Sequence, residues 1–340
     1  MRLFLTLIVT FFLGCSESKK ENTSNNSTPP QKATLKVAYV ENPNFRSHTD
    51  NELLQLLEST KKTSREHFGI SLTFEKIEHL NIKDVFDLLD STVIEHYITP
   101  NMLNIHKEDF THQEIMDVQD NLRLALRSNK NSFDAKVKYA QKYIISDQNV
   151  SCNGSLSKAL SDTMFAKVKS YKKYLSKDQY NEWLYWSALG STQLNYDIII
   201  TNTPIISVEK TFLDMHTALR GGITVGTTEY NPHTQFKTFV FWSTFAFFEN
   251  DSVIKQLRNS ETYTTSEALE LSGIYLTHEI GHMVFHFGHP FSQTSCVMNP
   301  VPLLKFREWS HALNPQQCQI GSSPEMQINA VNIETNFYED

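Results

Sequence analysis

The sequence predicts an α+β domain with a twisted mixed sheet. Three observations carry this. A strand-helix-strand pattern opens the body of the chain. About a hundred residues with helical periodicity alone follow it. A second group of strand-like runs then precedes one long helix, which carries "LTHEIGHMVFHFGHP" at 276–290. Such grouping of elements fits α+β better than a regular βαβα alternation.

The first residues stand apart. "MRLFLTLIVTFFLGC" has one cation, Arg2, then an apolar run that stops at Gly14-Cys15. The run is too short to span a bilayer and reads as an export signal over residues 1–14. Phe12-Leu13-Gly14-Cys15 resembles a bacterial lipobox. That resemblance implies cleavage before Cys15 and lipidation of its thiol. It also implies a lipid-anchored place in a bacterial cell envelope, periplasmic or surface-exposed, with the membrane as a partner. Residues 15–33 are polar, with a Pro pair and no apolar period, as expected of a flexible tether.

The body spans 34–325, and a polar tail spans 326–340. The chain has 340 residues, enough for one large domain or two modest ones. Lys plus Arg number 31 against 38 acidic residues, for a net charge of −7. No basic run reverses that balance, so nucleic acid is excluded as a natural partner.

Each element has its own signal. "LKVAYV" (35–40) is a β-former run. Leu53, Leu54, Leu56 and Leu57 recur at helical spacing, with Asp50 as N-cap and Gly69 as the stop. "ISLTFEKI" alternates as a strand, so the unit is β-α-β with parallel strands. Residues of about 90–190 predict a helical insertion on one side of the sheet, with solvated charges and no chemistry of its own. "YDIIITN" (196–202) returns to strand. "GGITVGTTEY" and "KTFVFWSTFAFF" predict two strands joined at Asn231-Pro232, with His233 in the exposed turn. Thr264 and Glu267 fit a capping box ahead of the long helix.

On that helix His278, Glu279 and His282 spell H-E-x-x-H. Residues four apart are rotated by about 40° and rise about 6 Å, so the two imidazoles face one way. Neutral imidazole suits Zn2+, which takes four ligands. Glu279 is turned off the ligand direction and is placed to act as a general base on a water beside the metal. Together these predict metal-assisted hydrolysis.

"HEIGHMVFHFGH" followed by "CVMNP" resembles the metzincin zinc peptidases, matrixin-like and archaemetzincin-like members included. The resemblance implies a zincin-like fold: a sheet-rich part above the active-site helix and a small C-terminal subdomain below it. It implies zinc, a peptide or protein substrate bound extended along an edge strand, and Met298 packed beneath the metal as the Met-turn methionine. Either of the two runs between 221 and 248 could be that strand, although the aromatic one reads as interior. The motif covers some twenty-five residues, the element order perhaps 200 more, and 90–190 has no counterpart.

The chain departs from the family in one place. The third histidine falls one residue late, at His289, and the family's glycine position holds Phe285. Eight helical residues rise about 12 Å, so no third ligand can come from a straight helix. The helix must break just after His282. Histidine is among the residues that tolerate positive φ. His286 can therefore make the turn and let His289 reach the metal. His286 itself, or a carboxylate such as Glu308, are the alternatives. Trp309 and His311 read as packing of a last helix.

Export implies an oxidising compartment, where Cys296 and Cys318 are candidates for a disulfide and Cys152 would be left over. The expected activity is that of a lipid-anchored zinc endopeptidase. The alternatives are a non-catalytic surface lipoprotein on the same scaffold, motivated by the irregular spacing, and a hydrolase of non-peptide bonds.

Overall fold

The computed structural model describes residues 31–127, 133–146, 156–210, 214–318 and 325–328. The expected signal, Cys15, most of the tether, Cys152 and most of the tail lie outside these residues.

β1 (Gln31–Leu35) and β2 (Val37–Glu41) form one extended segment divided at Lys36. β1 opens inside the stretch expected to be tether. Its alternation explains why: Ala33 and Leu35 point into the core while Lys32 and Thr34 face out. α1 (Asp50–Phe68) is capped by Thr49, one residue before the expected Asp50. A capping box needs a hydroxyl residue three before a Glu, and Thr49 with Glu52 supplies it in both directions, at 3.3 and 3.0 Å. α1 ends at Gly69 in the left-handed region.

β3 (Ile70–Phe74) pairs parallel with β1, and β4 (Glu78–Asn81), a strand with no clear signal in the sequence, pairs parallel with β2. Short helical segments follow: α2 (Ile82–Phe86), α3 (Ser91–Val93) and α4 (Thr99–Asn101), the last two flanking a π-helical turn at Ile94–Ile98. Then come α5 (His112–Arg127), α6 (Phe133–Ser146), α7 (Leu156–Ser170) and α8 (Trp183–Thr192).

β5 (Ile198–Thr201) is buried on both faces at the centre of a five-stranded sheet of order β4-β2-β5-β9-β8. β6 (Ile205–Ile206) and β7 (Ile223–Thr224) form a small antiparallel pair around α9 (Met215–Leu219). β8 (Gly226–Tyr230) runs antiparallel to β9 (Thr238–Ser243) and forms one edge. The aromatic strand β9 is interior. The turn between them leaves His233 exposed, and Asn231 there pins α8 by donating to the carbonyls of Gly190 and Leu194. The fold is mixed α+β with a mixed sheet.

Alternation along the central strands builds two apolar layers. Tyr39, Ile198, Ile200 and Trp242 face one, with Val118, Leu160 and Val168 of the insertion helices α5 and α7 in the same core. Val40, Ile199, Phe239 and Phe241 face the other, where Trp186 and Leu189 of α8 cover them. The insertion therefore supplies both sides of the sheet, not one. α8 carries no charged residue, whereas α5 is amphipathic and packs by one stripe.

After α10 (Phe245–Phe248) and α11 (Ser252–Leu257) comes α12 (Thr265–Phe285), the long helix. It lies tightly on α1, since a Cβ on Gly273 would sit 2.2 Å from the carbonyl oxygen of Leu56. α13 (Phe306–Ala312) packs back on the same core: Phe306 stacks on Phe247 and Trp309 meets Tyr275 edge-on. Among the described residues, the segment after α12 thus has no separate core of its own. Met326 and Gln327, expected to belong to the polar tail, return to the body. The Gln327 N–H donates to the carbonyl of Val284, one of the acceptors left open at the end of α12.

Candidate metal centre

Thr264 caps α12 by accepting from the Glu267 N–H, and the Glu267 carboxyl takes Arg307 Nε at 2.6 Å. The second half of α12 is buried throughout, its polar residues Thr277, His278, Glu279 and His282 included. Buried side chains hold His278, Glu279 and His282 at a fixed depth.

The helix stops at His286, which adopts φ 58 and ψ 35. The His286 N–H donates to the His282 carbonyl and the Phe287 N–H reaches back to Gly281. The bond from His286 to His282 is the αL closure, with histidine at the position glycine usually takes. The chain reverses, and His289 returns toward the helix. The Nε2 atoms of His278, His282 and His289 then lie 3.1, 3.1 and 3.0 Å from one another. His286 is buried but outside this cluster, and Glu308 is exposed beside Lys305, so neither alternative third ligand stands at the site.

The second nitrogens of two of these rings are already used. His278 Nδ1 lies 2.9 Å from the carbonyl of Val297, and His282 Nδ1 bonds the carbonyl of Phe287. A carbonyl only accepts, so each Nδ1 carries the proton and each Nε2 presents a lone pair. Lone pairs converging within 3.1 Å repel unless a cation sits among them. An ion about 2.0 Å from each nitrogen needs separations of about 2.8 Å at right angles and about 3.3 Å at ideal tetrahedral angles. The spacing falls between the two, so the residues fit a zinc ion. Burial pushes His282 down to about 4, with the neighbouring His286 adding, and holds His278 and His289 well below the ordinary imidazole value. All three rings are therefore neutral, the form that binds metal.

The floor comes from the loop after His289. Met298 is fully buried under α12, and a Cβ on Gly281 would lie 2.3 Å from its Sδ. Val297, whose carbonyl orients His278, is adjacent both to Met298 and to Cys296, which is joined to Cys318 by a disulfide. Asn299 Nδ2 donates to the Pro290 carbonyl, and Trp309 Nε1 donates to the Asn299 carbonyl. The loop that bears His289 is so tied to the floor and to α13.

Glu279 lies on the cleft side. It lines a cavity of about 240 Å³ with His282, His289, His216, Asp214 and Glu229. Burial pushes its carboxyl up to about 8; repulsion from Asp214 and Glu229 adds, while the Thr228 hydroxyl and the Arg220 guanidinium oppose. Burial likewise raises Glu229 to about 7. The chemistry available is three imidazoles for a cation and a carboxyl beside them able to take a proton.

Several residues here had no sequence signal. His216 meets the His289 ring edge-on at 5.1 Å, Asp214 lines the cleft, and Arg220 is buried with its Nε on the His216 carbonyl. Trp183, in the stretch expected to be free of chemistry, forms part of the cleft wall. Thr228 and Glu229 do fall on a strand considered for substrate binding, which was their one available clue. Comparison of the chain with protein-family models, curated proteins and solved structures finds no match.

Proposed function

We propose that this chain is a zinc-dependent endopeptidase of metzincin type with a zincin-like fold, lipid-anchored through Cys15 at a bacterial cell envelope. The observation that carries the reading is the convergence of the His278, His282 and His289 Nε2 atoms beside Glu279 at one cleft. When bound, zinc supplies Lewis acidity toward a carbonyl and lowers the pKa of water.

The chain's own residues do the rest. Glu279 takes a proton from the attacking water and later gives it to the departing amine. β8, an edge strand, offers main-chain groups to an extended peptide beside the site. Val297 and Phe287 keep His278 and His282 in the ligating tautomer.

The alternative, a non-catalytic binding lipoprotein, draws on the extra residue before His289. The left-handed turn at His286 absorbs that residue, and Glu279 faces the cleft, which zinc binding alone does not require. The test is hydrolysis of a broad peptide library by the zinc-loaded full chain beside Glu279→Gln. Cleavage lost in the variant at equal zinc content supports the peptidase. Bound zinc with no Glu279-dependent cleavage favours the binding protein.

A further inference from the structure

Edge strand β8 does more than border the cleft, because it also grips Glu279. Thr228 Oγ1 lies 3.0 Å from Glu279 Oε2 and 3.1 Å from the main-chain oxygen of the same residue. Thr228 is buried, at 8% exposure. Two residues earlier on the same face, a Cβ on Gly226 would meet Glu279 Cγ at 3.0 Å and the Trp242 ring at 2.4 Å. The strand therefore closes on both the stem and the head of this carboxyl.

A hydroxyl has one proton to give and two lone pairs to accept with. When Glu279 is a carboxylate, Thr228 donates to Oε2. A proton arriving on the other oxygen leaves Oε2 a carbonyl acceptor, and that bond persists. A proton arriving on Oε2 makes it the donor to Oγ1, while the Thr228 hydroxyl turns its own proton to the Glu279 main-chain oxygen. The contact between Oγ1 and Oε2 is a hydrogen bond in every case, and no heavy atom moves. A main-chain N–H in that place would lose its bond when the proton sits on Oε2, because it cannot accept.

We propose that Thr228 is a positioning residue that holds Glu279 in one orientation before and after it takes a proton from water. The inference rests on the peptidase reading. In that reaction a water O–H bond breaks, its proton goes to Glu279, and its oxygen bonds the substrate carbonyl carbon. The proton then passes to the amine nitrogen as the C–N bond breaks. Thr228 gives up no net proton at any point.

The test compares zinc-loaded full-length wild type with Thr228→Val, which keeps the shape and removes the hydroxyl, and with Thr228→Ser, which keeps the hydroxyl. Thr228→Val is expected to lower kcat by about 10- to 100-fold, with KM and zinc content unchanged. Thr228→Ser is expected to restore most of the rate. Equal activity in Thr228→Val, or equal losses in both variants, overturns the proposal. Crystal structures of the three proteins supply a readout independent of turnover. Glu279 should occupy a single rotamer in wild type and Thr228→Ser, and more than one in Thr228→Val. A wild type without Glu279-dependent cleavage sinks the peptidase reading. The crystals still decide on Thr228, because an unchanged Glu279 rotamer in Thr228→Val overturns its role.

Discussion

The Nε2 atoms of His282 and His289 lie 3.0 Å apart although the two residues are seven positions apart in the chain. On a continuous helix those residues would be about 10 Å apart along the axis. The difference is made by one backbone conformation, the left-handed His286. Everything proposed for the metal depends on that reversal.

Substitution of His286 tests it. Asn also tolerates positive φ, so His286→Asn should retain zinc. His286→Val places a β-branched residue where its Cβ clashes, at a cost of roughly 1–3 kcal/mol. It should also weaken zinc binding, because His289 loses its approach. Thermal unfolding and zinc competition titrations check both; equal zinc affinity in the two variants would show that the turn does not control the site.

The floor makes a second prediction. Gly281→Ala drives a methyl into Met298 Sδ and Phe68 Cζ, both in a close-packed core. Overpacking of this kind costs about 1–3 kcal/mol. Shortening Met298 to Ala in the same chain should recover part of the loss, so the two changes are non-additive. Denaturant unfolding of the single and double variants measures it. Simple additivity would mean that Met298 does not support this turn of α12.

Cys296 and Cys318 close a loop with a sequence separation of 22. Replacing both by Ser should destabilise the fold by about 3 kcal/mol. Because Val297 orients His278, zinc should also dissociate faster from the variant. Stopped-flow chelation reads this, and an unchanged rate would confine the disulfide to stability.

A pH effect arises away from the metal. Burial raises the Glu182 carboxyl from 4.5 to about 8, opposed by the main chain of Ile105. Between those values the folded chain holds a proton that the unfolded chain releases. Its contribution to stability is full below about 4.5 and is lost as pH rises through 8. Glu182→Gln removes this dependence. The variant should match wild type near pH 4.5 and gain on it by about 1.4 kcal/mol per unit as pH rises. Unfolding curves at several pH values test this; a constant gap contradicts it.

The three candidate ligands were legible because the relevant distances are local. Four-residue spacing fixes His278 and His282, and helix rise alone demands a break before His289. The cleft wall was not legible. Asp214, His216 and Glu229 reach Glu279 from 50 or more residues away, through a path set by α9 and β8, and leave no period in the sequence. β1 was missed because five residues of weak alternation follow a polar, Pro-containing stretch. The α1 cap was misplaced by one because Asp50 and Thr49 are both capable caps, and only the box with Glu52 decides between them.

The central claim is that three imidazoles hold one zinc ion. Elemental analysis of the full chain, purified without chelator and dialysed against trace zinc, tests it most directly beside His289→Ala. The account predicts one zinc per wild-type chain and a small fraction of that in the variant. A wild type without zinc, or a His289→Ala chain that keeps its full equivalent, would contradict it.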